Sequence, residues 1–571
     1  MKNHNFSALE SHFADFVLGL AGHPSPLLAL AARLVSRQVA EGHICLDLEE
    51  FSGRPVPLPT GEEALCPQLD FWLRELRNSG VVGSPGQWQP LILDPPLLYL
   101  QRYWQYEHEV AAFILSRSRM GPQVLDKDGL EKGILRMFQA ADKAASNEPD
   151  WQREAARKTL ASRFCVISGG PGTGKTTTVA RILALFHELN PDEERPVLLA
   201  APTGKAAARL QEAIRSAKSG LDCAPRVKAA IPETAVTLHR LLGSSAGGRR
   251  YHAGNRLPAR LVVVDEASMV DLPLMAWLMA ALPESCSLLL LGDHNQLASV
   301  QPGAVLGDIC QGLRDGGFSH MLAELKRTYR FSGASGIGAL SRAVNSGDGP
   351  GALAVLQDDR FADARWVDIG EDMEQFRLRV LDRIREHHKR IVAASSPGEA
   401  LNVMAEFAVL SALRRGPWGV ENINLLATEL FAPPGSVYFH GYPVMVSRNQ
   451  YELQLYNGDT GLIVRDPEAD DELRAFFPGA TGIRRLLPAR LPGHETAFAV
   501  TVHKSQGSEF DHVLLILPRE SSPVLSRELI YTAVTRAVKS VEVWGDEKIF
   551  MDAVGSPTRR KSGLVKALSG E

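Results

Sequence analysis

Short apolar runs closed by polar or glycine-rich residues recur through the middle of the chain, alternating with stretches of helical period. Four runs, at residues 165–168, 197–201, 261–264 and 287–291, are dominated by Val, Ile, Leu and Ala. Runs this short and unbroken read as strands covered on both faces, so residues 150–350 predict a parallel sheet flanked by helices. All four end at polar, motif-like residues, and ligands of open α/β sheets sit beyond the carboxyl ends of the strands. A second α/β region is expected over 351–571. Inside it, residues 439–492 are rich in Val, Tyr and Gly turns and carry the acidic stretch DPEADDE, which predicts a small β-rich, SH3-like insert. Over residues 1–140, helical stretches are broken by Pro55-Val56-Pro57-Leu58-Pro59 and Gly83-Ser84-Pro85-Gly86, and a mostly helical N-terminal domain is expected. The polar stretch AASNEPD at 144–150 reads as a boundary before a helix that carries Gln152.

Length and composition sharpen this. A chain of 571 residues is far too long for one core. Hydrophobic residues at 45% and charged residues at 22% are ordinary globular usage, which sets intrinsic disorder aside. The six cysteines (Cys45, Cys66, Cys165, Cys223, Cys286 and Cys310) are scattered and never form CxxC, so neither a zinc site nor a disulfide framework is indicated. A reducing cytoplasm fits that usage. The start carries no charged-then-apolar leader, and no run approaches the ~18 apolar residues of a membrane span, so no membrane association is expected.

Net charge is only −4, but it is unevenly spread. Residues 201–260 hold eleven Lys or Arg against three Asp or Glu, a balance of +8; residues 1–100 hold six against eleven, a balance of −5. The basic stretch is a candidate for contact with a phosphate backbone and the acidic end is a poor one. Solvated surface is the plainer reading of each imbalance taken alone.

The first run leads directly into GGPGTGKT at 169–176. Glycines let backbone N–H groups wrap phosphate oxygens, Lys175 reaches the outer phosphates, and the Thr176 hydroxyl can bind magnesium. Strand, loop and helix in that order is the context such a loop requires. Asp265 and Glu266 follow the run at 261–264, so both carboxylates emerge at a strand's end. Asp265 can hold Mg2+ through its water shell, while Glu266 can orient and deprotonate an attacking water. An acidic pair alone could be a helix cap. Gln296, in Gly292-Asp293-His294-Asn295-Gln296-Leu297, is positioned to sense the outermost phosphate, although by itself that stretch could be an Asx-capped turn.

The ordered set GGPGTGKTT, AAPTGKAAARL, TLHRLLG, VVVDEAS, LLGDHNQLASVQPG, TYR, TVHKSQGSEF and YTAVTRA resembles the superfamily 1 DNA helicases, and within them the RecD branch, the alpha subunit of bacterial exonuclease V. The resemblance runs from Gln152 to about Trp544. It implies two RecA-like P-loop motor domains with parallel sheets and flanking helices, at 150–350 and 351–571. It further implies that Gln152 reads the adenine of ATP, and that Gly169, Gly170, Pro171, Gly172, Thr173, Gly174, Lys175, Thr176 and Thr177 bind the triphosphate. Gly507 and Glu509 match the segment near the ribose, where a helix-capping Glu competes. Arg330 and Arg536 match the two arginines that reach the γ-phosphate from the second motor domain's side, and a guanidinium crossing a cleft suits the charge of phosphoryl transfer. Surface salt bridges are their alternative.

For DNA the resemblance implies a strand lying across both motors, touching Pro202, Thr203, Gly204, Lys205, Thr237, His239, Thr501, His503, Lys504 and Ser505. Small hydroxyls, amides and cations of this kind grip a backbone without reading bases. His239 and His503 could instead be packed core histidines. In the N-terminal region Tyr99, Tyr103, Trp104 and Tyr106 fit a helix core or a protein-docking face better than nucleic acid, given the acidic balance. The resemblance implies 5′-to-3′ movement on single-stranded DNA and at duplex ends, a heterotrimer with RecB-like and RecC-like subunits, and a part in double-strand-break repair by homologous recombination. Any nuclease activity is expected in another subunit. A regulatory or structural ATPase subunit of the same complex is the competing expectation.

Overall fold

A computed structural model describes residues 6–570 apart from 24, 58–62, 122–125, 139–149, 246–247, 331–334, 371 and 480–481. The first of two large sheets has six strands in the order Leu322–Leu325, Phe164–Gly169, Ser287–Gly292, Leu261–Val264, Val197–Ala201 and Ala235–Thr237, every neighbouring pair parallel. Leu261 and Val263 face one apolar core while Val262 and Val264 face another, and the leucines at 288–291 divide the same way. Burial on both faces is why these strands read as unbroken apolar runs.

The second large sheet has five strands, ordered Ala364–Asp368, Ala537–Gly545, Phe510–Ile516, Phe407–Ser411 and Ala499–Thr501, again all parallel. It too lies between two cores, one holding Leu410, Val513 and Leu515, the other Val409, Leu514 and Ile516. Between two of its strands the chain leaves to build a five-stranded antiparallel sheet of Gly482–Leu486, Glu472–Gly479, Thr460–Asp466, Tyr442–Val446 and His494–Thr496 around Tyr442, Val444, Ile463 and Phe477.

The N-terminal region is helix-rich, with Ala8–Ala21, Pro26–Ala40, Leu69–Arg77, Gln101–Ser118 and Lys127–Met137. It also holds a four-stranded sheet of Cys45–Asp47, Leu97–Leu100, Leu91–Asp94 and Val82–Gly83. Strands of two to four residues are too short to print a period of two. The proline-rich break forms a strand, Pro55–Pro57, paired with Glu63–Leu65; Leu58 and Pro59 lie outside the described residues. Of the expected boundary at 144–150, only Asp150 is described. It caps the helix Trp151–Ala161 by accepting from the Gln152 and Arg153 N–H groups. Among the described residues no helix is long and apolar enough to cross a membrane.

Candidate active site

The strand Phe164–Gly169 feeds the glycine loop, and the helix Lys175–Leu189 starts at the lysine. Gly172 and Gly174 take φ of +74° and +80°, a region that disfavours a Cβ. Space is short as well: a Cβ on Gly174 would stand 2.6 Å from Nε2 of Gln152, and one on Gly172 would overlap Cβ of Arg330. No side chain caps this helix, leaving its first N–H groups for an anion. Thr173 donates to the Gly170 carbonyl at 2.8 Å, and the Lys175 ammonium donates to the carbonyls of Gly169 (2.5 Å) and Gly170 (3.1 Å). Pro171 and Thr176 are half-buried and Thr177 is exposed. Gln152 is buried under the loop; its amide nitrogen lies 3.4 Å from the Thr173 carbonyl and its oxygen accepts from Arg181 at 3.2 Å.

Asp265 and Glu266 stand just beyond Leu261–Val264. Asp265 accepts the Glu266 N–H at 2.9 Å, and Glu266 holds φ +50° and ψ 42°. A left-handed glutamate costs on the order of 1 kcal/mol or more and persists only where its surroundings enforce it. Burial, and then the charge of Glu266, push the Asp265 carboxyl up to about 6, with Lys175 opposing. A carboxylate so burdened gains from a nearby cation. Among the described residues no group of three His, Cys, Asp or Glu forms a ready metal cage. The donors at hand, Asp265 and the Thr176 hydroxyl, suit a hard ion that keeps its waters and binds phosphate.

Arg536 comes from the second sheet, just before Ala537–Gly545, and is only 3% exposed. Its guanidinium donates to the side-chain oxygen of Gln296 at 3.0 Å, to the Thr532 carbonyl at 3.1 Å and to the Ser508 carbonyl at 3.2 Å. Gln296 in turn donates to Asp293 at 3.0 Å, and Asp293 also accepts from Tyr531 at 3.0 Å. The Leu297 N–H donates to Thr532 (2.9 Å), and its carbonyl accepts from Gln506 (3.0 Å). Gln296, beyond the strand Ser287–Gly292 of one sheet, and the arginine of the other are thus joined in one buried network.

Arg330 differs from what the resemblance implied. It does not reach in from the second motor's side but lies past the last strand of the first sheet, Leu322–Leu325, where the Tyr329 N–H donates to the Gly172 carbonyl at 2.8 Å. Its guanidinium crosses to Glu509 of the second sheet at 2.6 Å, holding that half-buried carboxyl below its ordinary range although burial alone would raise it. Glu509 precedes the strand Phe510–Ile516, so it caps no helix there. Gly507, two residues earlier, takes φ +70°.

Among the candidate nucleic-acid contacts, Pro202 leads into Thr203, which caps the helix Gly204–Ser219 by accepting from the Ala206 N–H. The Tyr456 ring of the β-insert lies over Gly204 so closely that a Cβ there would overlap it. Lys205 and Arg209 line two cavities: one of about 480 Å³ between this helix and the insert, also bordered by Arg215 and Arg484, and one of about 220 Å³ that reaches the strands Phe407–Ser411 and Ala499–Thr501. Burial, and then Arg209, pull the Lys205 ammonium down to about 8. Thr237 is buried, its hydroxyl accepting from the Arg240 N–H, whereas His239 is exposed and so is not a core histidine. Thr501 accepts the Lys504 N–H, Lys504 pairs with Glu495 at 2.6 Å, and Ser505 is buried on the Val502 carbonyl. His503 is half-buried, and burial, then Arg560, lower its pKa. Thr237 and Ser505 therefore order the backbone of their segments, while Lys205 is half-buried beside the cavities and His239 is exposed.

Tyr531 and Thr532 escaped notice in the sequence although they open the quoted YTAVTRA. Tyr456 had no signal there.

The chain matches three family models, described as an AAA domain over residues 152–302, the N-terminal domain of RecBCD enzyme subunit RecD over 2–99, and a UvrD-like helicase C-terminal domain over 496–543. It is 40% identical to the RecBCD enzyme subunit RecD of Mycolicibacterium smegmatis over 98% of this chain and 96% of that protein. With the RecBCD enzyme subunit RecD of Haemophilus influenzae the figures are 34%, 90% and 85%. The ATP-dependent RecD2 DNA helicase of Deinococcus radiodurans is 30% identical over 77% of this chain and 54% of its own length.

Proposed function

Since the chain belongs to the family of RecBCD enzyme subunit RecD, we propose that it is an ATP-dependent DNA helicase subunit working with RecB-like and RecC-like partners in a RecBCD-type complex. Its task is 5′-to-3′ translocation on single-stranded DNA from duplex ends, in the cytoplasm, during recombinational repair of double-strand breaks. The helix-rich N-terminal region docks the partner and carries no DNA grip. Cutting of DNA belongs to another subunit.

The glycine loop holds the triphosphate through its N–H groups, Lys175 turns from the loop carbonyls to the outer phosphates, and Gln152 marks the adenine side. Thr176 and Asp265 would hold a magnesium ion, which would supply charge neutralisation at those phosphates. Glu266 orients water and takes its proton. Arg536 and Arg330 stabilise the charge that develops on transfer, and Gln296 ties Arg536 to the state of the site. Closing and opening of the cleft moves the grip around Thr203 and Lys205 relative to that around Thr501 and His503, which advances the strand.

The observation that carries this reading is the buried Arg536–Gln296 bond at 3.0 Å, which makes one ATP site the business of two motors. Unwinding assays on duplexes with a 5′ or a 3′ tail test it. Opening of 5′-tailed duplex only, lost in Lys175→Gln, is expected. Opening of 3′-tailed duplex would overturn the direction, and ATP hydrolysis indifferent to DNA, with partners present, would replace the motor by a regulatory ATPase.

A further inference from the structure

After the helix Glu547–Gly555 the chain does not stop at the second motor. Residues 558–569 run back across the molecule as a strap, ending in the helix Leu564–Ser569, whose Leu564 and Leu568 are buried in the core beneath the first sheet. On the way the strap joins the N-terminal region: the Ile44 N–H donates to the Lys561 carbonyl at 2.8 Å, the Lys561 N–H to Nδ1 of His43 at 2.9 Å, and the Lys561 ammonium pairs with Asp47 and Glu50. Further on, Glu107 accepts from Ser562, from the Gly563 N–H and from Tyr99.

One residue of the strap points elsewhere. Nη1 of Arg560 lies 2.7 Å from the carbonyl oxygen of Ser299 and 2.8 Å from those of Gln301 and Gly303. These three carbonyls belong to the loop that follows Gln296. The start of the same loop is held by the second motor through Thr532 and Gln506 at Leu297, and its end by the Gly303 N–H on the Gly42 carbonyl at 2.9 Å. Gly42 takes φ +98°, and a Cβ there would stand 3.3 Å from Nε of Arg560. The Arg560 charge is also felt by Asp308 and Glu528, and at His503 in the second motor's strand grip. Arg560 thus stands where four parts meet: N-terminal region, sensor loop, strand grip and the second motor's own tail.

We infer that Arg560 is a positioning residue that holds the loop 299–303 so that Gln296 stays on Arg536, and thereby couples occupancy of the strand grip to ATP turnover. The inference rests on the helicase reading. A single cationic nitrogen, Nη1, faces all three carbonyls and draws them to one point, which a neutral side chain cannot do. Without Arg560 the loop keeps only its two end ties, at Leu297 and at the Gly303 N–H, and its middle could shift and let the Gln296 amide leave the arginine. Coupling between two sites needs an element that both can bias, and this loop is tied to the second motor at Leu297 and to the N-terminal region at Gly303.

The test is steady-state ATP hydrolysis by the full-length chain, with and without oligothymidylate, for the natural protein and for Arg560→Ala, Arg560→Lys and Ser562→Ala. Arg560→Ala is expected to lower the DNA-stimulated kcat about tenfold with KM for ATP unchanged, and Arg560→Lys to recover part of it. Ser562→Ala loses a strap bond to Glu107 without touching the loop, and it should keep full stimulation. Undiminished stimulation in Arg560→Ala overturns the inference. So does an equal loss in Arg560→Ala and Ser562→Ala that follows their melting temperatures, which would make the strap a clamp and nothing more. Failure of the natural chain to respond to DNA would instead sink the helicase reading, and it needs no variant to be seen.

Discussion

The two large sheets share an architecture and divide the chemistry. In the first, the strands Phe164–Gly169, Leu261–Val264 and Ser287–Gly292 end in the glycine loop, the two carboxylates and the sensor, side by side at one edge. In the second, the strand Phe407–Ser411 ends on a serine whose hydroxyl donates to the carbonyl of Trp418 at 2.7 Å and accepts the Leu413 N–H at 3.1 Å, closing its loop on itself. The helix that follows, Val420–Phe431, has no side-chain cap either, but its first two N–H groups are already taken by the carbonyls of Leu413 and Arg414. What the second sheet offers is Arg536, buried and already bonded to Gln296 of its neighbour. On the proposed function the roles separate: one sheet would hold the nucleotide, and the other would supply its arginine across the contact. On that reading a local bond cleavage would become relative motion of the two sheets.

The separation can be broken from either side. Lys175→Gln removes the charge that the loop turns to the outer phosphates, and turnover should fall at least a thousandfold by coupled-enzyme assay with the fold intact by circular dichroism. Arg536→Lys acts from the other sheet. It forfeits the fork that spans Gln296, Thr532 and Ser508, and kcat should drop on the order of a hundredfold or more while KM for ATP changes little. Gln296→Ala leaves Arg536 in place but cuts its tie to the first sheet, so a loss of about tenfold in DNA-stimulated kcat is expected from one buried charge-assisted bond.

The smallest effect concerns the strand grip. Lys205, pulled down to about 8, is charged below that pH and loses its charge above it. Affinity for single-stranded DNA should therefore weaken a few-fold as pH rises from about 7 to about 9, and Lys205→Arg should flatten the profile because a guanidinium stays charged. Fluorescence anisotropy at fixed salt reads both.

Much of the first sheet was legible because its information is local. Residues 197–201 and 261–264 become strands with those same bounds, since continuous apolar runs between polar loops leave little else for them to do. The glycine loop and the DE pair were legible for the same reason, each being a short segment whose chemistry is carried by its own residues. What stayed hidden is long-range. Gln296 and Arg536 are 240 positions apart, Lys561 and His43 are 518 apart, and nothing periodic in either segment announces the other. The sheet of the N-terminal region was concealed by the shortness of its strands, and the side from which Arg330 arrives by the brevity of the motif that contains it. Tyr456, over Gly204, belongs to an insert whose pattern marked strands and turns but not the neighbour it covers.

The division of labour is tested most directly by equilibrium binding of a fluorescent ATP analogue to Lys175→Gln and Arg536→Lys, alongside the natural chain. If one sheet holds and the other acts, Lys175→Gln binds clearly more weakly, while Arg536→Lys keeps its Kd within about threefold of the natural chain despite its lost turnover. Equal weakening in both variants, or unchanged binding in Lys175→Gln with a raised Kd in Arg536→Lys, would contradict it.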